Sequence, residues 1–371
     1  MPPACVPDAV AAAALTWFAQ RVAGKKHAPN EYTVLSVLVV EQDGEWTVVS
    51  GGTGTKCVGL SGLCREGYIL ADSHAETMCR RAFLRYLYRE LDAPTADVPP
   101  IFDIVDGKRR LKSTCRMYMY ISEAPCGDAA LYDLHQDALD EIHESKLKRR
   151  KLDQETVTTV PCRTTGAKEA ETIEHSNALG LARVKSGRSD ILPENRTVSM
   201  SCSDKICKWL ACGLQGNLLS QWFEPIILSG IVVSQDSKAD DGSFHRALQR
   251  SVSRSRVDSC TVWSTKLEFP LRRSETRASA SGMSLNWCLG CDNVEYTLGA
   301  RGVKMGAKKK LDDATKRKMC SRLCRRELSQ LALKHQDDAE DANTKTGAMH
   351  SLLCRPFKRG RAFLQNTMTL Q

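Results

Sequence analysis

A histidine and a glutamate two residues apart, with a cysteine further along the chain, are the residues best suited to chemistry. His74-Ala75-Glu76 stands at the start of a predicted helix, and Pro125-Cys126 follows a predicted strand. Imidazole and thiolate are zinc ligands, and a zinc site that does chemistry leaves one position for water. Zinc lowers the pKa of that water, and a carboxylate beside the metal can then move its proton. We expect Glu76 to be that carboxylate and His74 and Cys126 to be metal ligands.

The ligand set has a gap. An H-x-E followed by P-C is most of the signature of the zinc deaminases that act on bases. The usual pattern has a second cysteine three residues after the first, but this sequence has Ala129 there. A third ligand must come from elsewhere, and spacing alone does not choose it. The candidate thiols are Cys57, Cys79, Cys115, Cys162, Cys202, Cys207 and Cys212.

The elements around these residues indicate an α/β protein. Ser73 is typical of a helix N-cap with Glu76 as its capping-box partner, and apolar residues then recur with a helical period up to Leu87. Around Cys126 the order is strand, turn and helix N-terminus, which is where α/β proteins place chemistry. Strands are predicted over 33–40, 46–50, 116–122 and 226–233. Helices are predicted over 9–15 (at the surface), 244–252 and 312–333, and a pair of helices follows residues 198–205 and ends at about 223.

Length and composition limit the class of protein. The chain has 371 residues, 42% hydrophobic and 26% charged, which excludes a wholly disordered or collagen-like chain. No run of about 18 apolar residues predicts a membrane-spanning helix. The net charge of +9 favours a polyanionic partner. The first residues of the sequence lack the positive charge of a secretory signal, so we expect the protein to be inside the cell, in the nucleus or the cytoplasm. In that environment the 16 cysteines should not form disulfides.

Three motifs resemble those of the adenosine deaminases acting on RNA. They are Asp72-Ser73-His74-Ala75-Glu76, Pro125-Cys126-Gly127-Asp128-Ala129 and Ser201-Cys202-Ser203-Asp204-Lys205. Shorter matches, such as Gly54-Thr55-Lys56-Cys57, keep the family's order over about residues 30–330. The resemblance implies a cytidine-deaminase-like mixed sheet flanked by helices, with zinc at helix N-termini.

The same resemblance implies roles for individual residues. Cys202 would be the third zinc ligand beside His74 and Cys126, and Glu76 would relay the proton as adenosine is hydrolysed to inosine and ammonia. Asp72 would lie behind the zinc ligands. Thr55 and Lys56 would contact the ribose and phosphate of the target nucleotide.

The substrate implied by the resemblance is tRNA. No duplex-RNA-binding domain fits before Thr33, and a lone deaminase domain is similar to the tRNA-specific group, which modifies the adenosine 3′ of the anticodon of alanine tRNA. Arg188 stands about where the enzymes of long duplexes have a base-flipping glutamate, and a loop adenosine costs little to unstack. Arg188 would then stack and contact phosphate. The alternatives are a deaminase of duplex RNA, a deaminase of free nucleosides, and a catalytically silent RNA-binding paralogue.

Five basic residues are similar to the family's buried site for inositol hexakisphosphate. They are Arg80, Arg81, Lys205, Lys208 and Arg325. Buried like charges repel one another, and a polyphosphate would neutralise them. Lys205 and Asp72 would connect this site to the zinc ligands. The alternative is a set of surface cations that face tRNA.

We expect one deaminase domain over residues 1–335, with a polar insertion at about 137–160, and a polar, divergent tail over 336–371. The family's C-terminal polyphosphate contacts are not recognisable in that tail. The basic run at 146–151 is compatible with a solvated linker, a nuclear import signal or an RNA-backbone patch. Cys288 and Cys291, with Cys320 and Cys324, form a looser candidate for structural zinc.

Overall fold

A computed structural model describes residues 5–22, 27–92, 99–137, 162–163, 179–180, 182–185, 192, 195–240 and 242–335. Its helices are α1 Val6–Arg21, α2 Ala75–Asp92, α3 Cys202–Cys212, α4 Gly216–Leu219, α5 Ser243–Ser253, α6 Asp313–Lys318 and α7 Arg325–Lys334, with 3₁₀ turns at Leu60–Gly62 and Asp128–Ala130. Its strands are β1 Glu31–Tyr32, β2 Leu35–Gln42, β3 Glu45–Thr53, β4 Thr55–Cys57, β5 Asp72–His74, β6 Phe102–Val105, β7 Lys108–Leu111, β8 Cys115–Ile121, β9 Tyr132–Asp133, β10 Cys162–Arg163, β11 Gly230–Ser234, β12 Thr261–Thr265, β13 Ser279–Ala280, β14 Met283–Cys288, β15 Glu295–Leu298 and β16 Val303–Lys304.

Eight strands form one mixed sheet in the order β12-β11-β8-β2-β3-β14-β15-β16. The pairs β12–β11 and β11–β8 are parallel, and the pairs from β8 to β16 are antiparallel. The predicted mixed sheet with flanking helices is therefore confirmed. Within the part of the chain that is described, no helix is long and apolar enough to cross a membrane.

Helices cover both faces of the sheet because its central strands are apolar on both faces. In β2, Leu38 and Val40 pack in the cluster that contains α2, and Val37 and Val39 pack in the cluster that contains α1. Alternate residues of a strand face opposite sides, so a continuous β-branched run needs cover on both. The strand predicted from the run Thr33–Val40 is therefore present as β2, and the structure places it in the middle of the sheet.

Helix α2 begins at Ala75 and not directly after Ser73. Ser73 lies in β5, where its backbone pairs with Lys56 of β4, so it is a strand residue and no N-cap. The side chain of Asp72, not that of Ser73, accepts a hydrogen bond near the start of α2, from the backbone amide of His74 at 2.9 Å. The apolar face of α2 is as predicted, and its members are buried, among them Met78, Phe83 and Leu87.

Two other elements differ from the prediction. Helix α1 is longer than 9–15 and is not a surface helix, since Val10, Ala14 and Trp17 are buried against the sheet. The basic helix predicted over 312–333 is two helices, α6 and α7. Between them, Ser321 donates to Glu295 at 2.5 Å, and this contact holds the chain on the edge of the sheet.

Candidate metal centre

The structure brings His74, Cys126 and Cys202 together. Cys202 Sγ lies 3.6 Å and Cys126 Sγ lies 3.9 Å from His74 Nδ1. All three donor atoms lie within 4.8 Å of one another. His74 ends β5 immediately before α2, and Cys202 is the first residue of α3, so both residues lie at the N-terminus of a helix. Cys126 lies in a turn before one short 3₁₀ turn, not at the start of an α-helix.

Two glycines make this convergence possible. Gly54 has a φ of +144°, and a Cβ there would lie 2.0 Å from the carbonyl oxygen of Ser73, so a side chain would push β5 away. Gly127 has a φ of +104°, and a Cβ there would lie 2.3 Å from Ser201 Oγ. The Cys126 turn can therefore pack directly against the N-terminus of α3.

The donor set fits zinc. Two thiols and one imidazole leave the fourth position of a tetrahedral ion for another molecule, as in catalytic sites. A hydrogen bond from Cys202 lowers the pKa of the Cys126 thiol well below its ordinary value, with Lys185 and His74 adding to the effect against burial. A thiolate is the form that binds metal. A second group, Cys57, Asp72 and His74, shares the imidazole.

Glu76 lies beside these donors in the first turn of α2. Its side chain is buried, and Cys202 Sγ donates to its Oε2 at 3.2 Å. Burial raises the pKa of the Glu76 carboxyl, and the neighbouring Cys126 adds to this rise. A carboxyl with a raised pKa, placed against the metal donors, is suited to accept a proton and to give it back.

Asp72 lies behind His74 and holds several charged and polar groups. Lys185 Nζ and Ser199 Oγ donate to its Oδ2 at 2.7 and 2.8 Å, and Lys205 Nζ contacts the same oxygen. Burial would raise the pKa of Asp72, but Lys185 and Lys205 hold it well below the ordinary carboxyl value. Neither Lys185 nor Ser199 is predicted as a partner of Asp72 from the sequence, because both reach it from distant segments.

A cavity of about 400 Å³ lies next to Asp72. Its lining includes all five predicted polyphosphate residues, namely Arg80, Arg81, Lys205, Lys208 and Arg325, together with Asp72 itself. Burial lowers the pKa of both Arg80 and Arg81 to about 10. That shift marks cations whose burial is not fully compensated, so the cavity suits an anion of high charge.

The predicted substrate contacts have different outcomes. Thr55 and Lys56 lie in β4, where Thr55 pairs with His74 and Lys56 pairs with Ser73. The Thr55 hydroxyl is buried and has no hydrogen-bond partner among the described residues. Arg188 falls outside the described residues, as do residues 138–160 of the predicted insertion and the whole predicted tail.

The alternative structural zinc site is not formed as a group of four thiols. Cys288 Sγ and Cys291 Sγ lie 3.2 Å apart. Over the described ranges, however, neither group of residues that could hold a metal ion includes Cys288, Cys291, Cys320 or Cys324. Every cysteine whose side chain the structure describes is a free thiol.

The chain is similar to known RNA deaminases. It is 32% identical over 340 residues to the double-stranded RNA-specific adenosine deaminase of Mus musculus, covering 81% of this chain and 27% of that protein. It is 33% identical over 254 residues to tRNA-specific adenosine deaminase 1 of Drosophila melanogaster, covering 66% of this chain and 57% of that protein. The chain thus spans about a quarter of the first relative and just over half of the second. A solved structure of Aspergillus oryzae Rib2 deaminase matches with a TM-score of 0.25 at 12% identity, covering 71% of this chain and 85% of that chain.

The part of the chain that matches a known protein family includes the candidate metal centre. The sequence profile of the adenosine-deaminase (editase) domain matches residues 50–355, a range that contains His74, Glu76, Cys126 and Cys202. Because this match extends over most of the chain, the chain belongs to the adenosine-deaminase (editase) domain family.

Proposed function

We propose that this protein hydrolyses adenosine to inosine in tRNA, with the adenosine 3′ of the anticodon of alanine tRNA as its target. The observation that carries the proposal is the buried Glu76 carboxyl, which contacts Cys202 within a set of three converging zinc-type donors. Family membership supports deamination of adenosine as the reaction.

His74, Cys126 and Cys202 would hold zinc through Nδ1 and two Sγ atoms. When bound, the ion would lower the pKa of a water molecule and so supply a nucleophile near neutral pH. Asp72 fixes the His74 backbone through the 2.9 Å bond to its amide, and Lys185 and Lys205 keep Asp72 ionised. These contacts hold the imidazole in place.

Glu76 carries the protons in this mechanism. Its Oε2 takes a proton from water and gives it to the ring nitrogen of adenine as the bond to C6 forms. The carboxyl then moves a second proton to the exocyclic amine, which leaves as ammonia, so that adenosine and water become inosine and ammonia. Because the raised pKa of Glu76 brings it nearer to the working pH, both transfers have a small energetic cost.

Thr55 and Lys56 would orient the target nucleotide. Both lie on β4, next to the strand that ends in His74. The buried Thr55 hydroxyl lacks a partner among the described residues, which suits a group that waits for a substrate hydroxyl or phosphate. Arg188 would add a stacking and phosphate contact.

The choice of tRNA rests on similarity and charge. A relative that is 33% identical over two thirds of this chain is tRNA-specific adenosine deaminase 1. A net charge of +9 suits a compact polyanion. The 32% identity to a double-stranded RNA-specific deaminase favours duplex RNA as the second candidate substrate.

We further propose that the cavity behind Asp72 holds inositol hexakisphosphate. Its five basic lining residues and its volume of about 400 Å³ fit a small, highly charged anion.

The location proposed for the protein is inside the cell, in the nucleus or the cytoplasm. The free thiols of the cysteines whose side chains are described are consistent with it. We also propose that residues 1–335 form one deaminase domain.

The test compares two RNAs with the zinc-loaded protein at one salt concentration. Inosine formation is measured on an alanine tRNA transcript and on a long perfect duplex, with a heat-inactivated sample as the blank. We expect faster formation on the tRNA, because extruding a paired adenosine costs a few kcal/mol. Faster inosine formation on the duplex would contradict tRNA as the substrate and favour duplex RNA instead. Inosine in neither RNA, from zinc-loaded and folded protein, would contradict both substrates and leave a deaminase of free nucleosides or a silent RNA-binding paralogue, which an assay with free adenosine distinguishes.

A further inference from the structure

Two cysteines outside the candidate metal centre lie in close contact. Cys288 is the last residue of β14, and Cys291 follows after a two-residue turn, with their Sγ atoms 3.2 Å apart. The Cys291 amide donates to the Cys288 carbonyl at 3.0 Å, and Gly290 between them has a φ of +77°. A covalent S–S bond is about 2.05 Å long, so the sulfur atoms need to approach by only about 1 Å.

The surrounding backbone holds this arrangement. The Leu289 amide donates to the Val49 carbonyl of β3 at 2.9 Å, which continues the sheet into the turn. The indole of Trp287 donates to the Cys291 carbonyl at 2.8 Å. Because both ends of the turn are bonded in this way, the contact between the two thiols is part of the folded state.

Three arginines surround the pair. A Cβ at Gly290 would lie 2.8 Å from Arg89 Nε, so that guanidinium covers the turn. Arg322 donates to the Asn286 carbonyl at 2.7 Å, and Arg85 approaches the Arg322 carbonyl at 3.5 Å. A third metal ligand is not available here, since within the described ranges no group able to hold a metal includes either cysteine.

The two thiols differ in environment. The hydrogen bond from Cys288 and the three guanidinium groups lower the pKa of the Cys291 thiol, against the effect of burial. Cys288 is only 1% exposed, whereas Cys291 is partly exposed. A thiolate near solvent with a second thiol in contact is the arrangement of a cysteine that reacts and a cysteine that resolves.

We propose that Cys288 and Cys291 are a site of reversible oxidation, at which hydrogen peroxide produces an intramolecular disulfide. The proposal rests on the 3.2 Å contact and its bonded turn, and it does not depend on the proposed function.

The chemistry balances with peroxide as the two-electron oxidant. The Cys291 thiolate attacks one peroxide oxygen, the O–O bond breaks, and hydroxide leaves and takes a proton from solvent. The resulting sulfenic acid is attacked by Cys288, whose thiol proton leaves with the hydroxyl group as water. The two sulfurs lose two electrons, and the peroxide becomes two waters. A dithiol reverses the step by exchange.

Trypsin provides a direct readout. Residues 278–301 form one tryptic peptide that contains both cysteines and no other, and residues 257–266 form another that contains only Cys260, which is buried. The full-length, zinc-loaded protein is treated with hydrogen peroxide, denatured in N-ethylmaleimide, digested and weighed by mass spectrometry. We expect the 278–301 peptide to lose both maleimide adducts together, with the mass of a disulfide. The Cys260 peptide should keep its adduct, and dithiothreitol should restore both adducts.

Variants distinguish disulfide formation between Cys288 and Cys291 from general oxidation of the protein. With Cys291→Ser, Cys288 should remain open to maleimide after peroxide treatment. With Cys288→Ser, Cys291 should form a sulfenic acid that dimedone traps. Arg89→Gln should slow the reaction severalfold, with an unchanged melting temperature showing that the fold is retained. The proposal is overturned if the pair keeps both adducts after peroxide treatment, if the product links two chains, or if dithiothreitol fails to restore the thiols.

Discussion

Glu76 and Asp72 are both buried carboxyls, yet their surroundings shift their pKa values in opposite directions. Glu76 faces Cys202 and is dominated by burial, which raises its pKa. Asp72 is equally buried, but Lys185 and Lys205 outweigh the burial and keep it ionised. A pair of carboxyls with pKa values moved apart is the arrangement in which one group exchanges protons and the other holds structure.

Replacing Glu76 with glutamine tests the proton transfer. Gln keeps the size and the polar contact to Cys202, but an amide cannot carry a proton. We expect inosine formation to fall by about 10²–10⁴-fold, the usual contribution of general acid–base catalysis, with bound zinc and melting temperature unchanged. Inosine assays together with zinc analysis by atomic emission provide the measurement. A zinc-loaded variant with near-normal turnover would show that another group moves the proton.

Removing one thiol tests the ligand set. Cys202→Ala deletes one of three donors, so zinc bound per chain should fall sharply and inosine formation should be lost. Cys260→Ala is the matched control, because Cys260 is also buried but belongs to neither group of metal-type donors in the described ranges. Its zinc content should match that of the unmodified protein. Equal zinc loss in the two variants would contradict the assignment of Cys202.

The site depends on where elements begin and end. β5 ends in His74 exactly where α2 begins, and α3 begins at Cys202, with Ser201 as its N-cap accepting the Asp204 amide at 3.2 Å. Three helices meet at the cavity behind the site, since its basic residues come from α2, α3 and α7. An anion in this cavity would join these helices.

The melting temperature tests that role of the cavity. Adding inositol hexakisphosphate to the full-length, phosphate-free protein should raise the melting temperature, since a ligand at 100 times its Kd adds about 2.7 kcal/mol of stability. Lys208→Ala should reduce the shift. Lys334→Ala is the control, because Lys334 is exposed on α7 and pairs with Asp92 away from the cavity. A shift that is the same in both variants would indicate nonspecific binding of the anion.

The whole molecule carries a net charge of +9, and its candidate substrate is a polyanion. Attraction between such partners depends on salt, because each phosphate contact releases counterions. The surplus therefore supports association with RNA without selecting a sequence. Selection between tRNA and a long duplex has to come from how the target adenosine is presented to the site.

Replacing Arg188 with glutamine tests whether this residue contacts a phosphate of the tRNA. Arg188→Gln should weaken tRNA binding, and the slope of log affinity against log salt should fall by about one, the value for one lost phosphate contact. Filter binding at several salt concentrations is the measurement, with Arg110→Gln as the control because Arg110 pairs with Glu224. An unchanged slope with unchanged affinity would show that Arg188 does not contact the RNA.

Local chemistry in the sequence was enough to predict several parts of the protein. The apolar period of α2, the β-branched run of β2 and the three motifs all concern residues close together in the chain. The buried face of α2 and the strand β2 were confirmed by the structure, and His74, Cys126 and Cys202 lie with their donor atoms within 4.8 Å of one another. Family membership likewise followed from motifs that keep their order along the chain.

Only the tertiary structure decided which distant residues meet. Ser73 has the side chain of an N-cap, yet pairing with Lys56 places it in a strand, because a backbone bond from another segment outweighs a local capping preference. Lys185 and Ser199 reach Asp72 across more than 110 residues of sequence, and no local pattern records such a contact. The same holds for the 3.2 Å contact of Cys288 and Cys291, whose spacing permits contact but whose geometry depends on the β3 backbone. Sequence determines the chemistry available at each position, and the packing of distant segments determines which groups come within reach of one another.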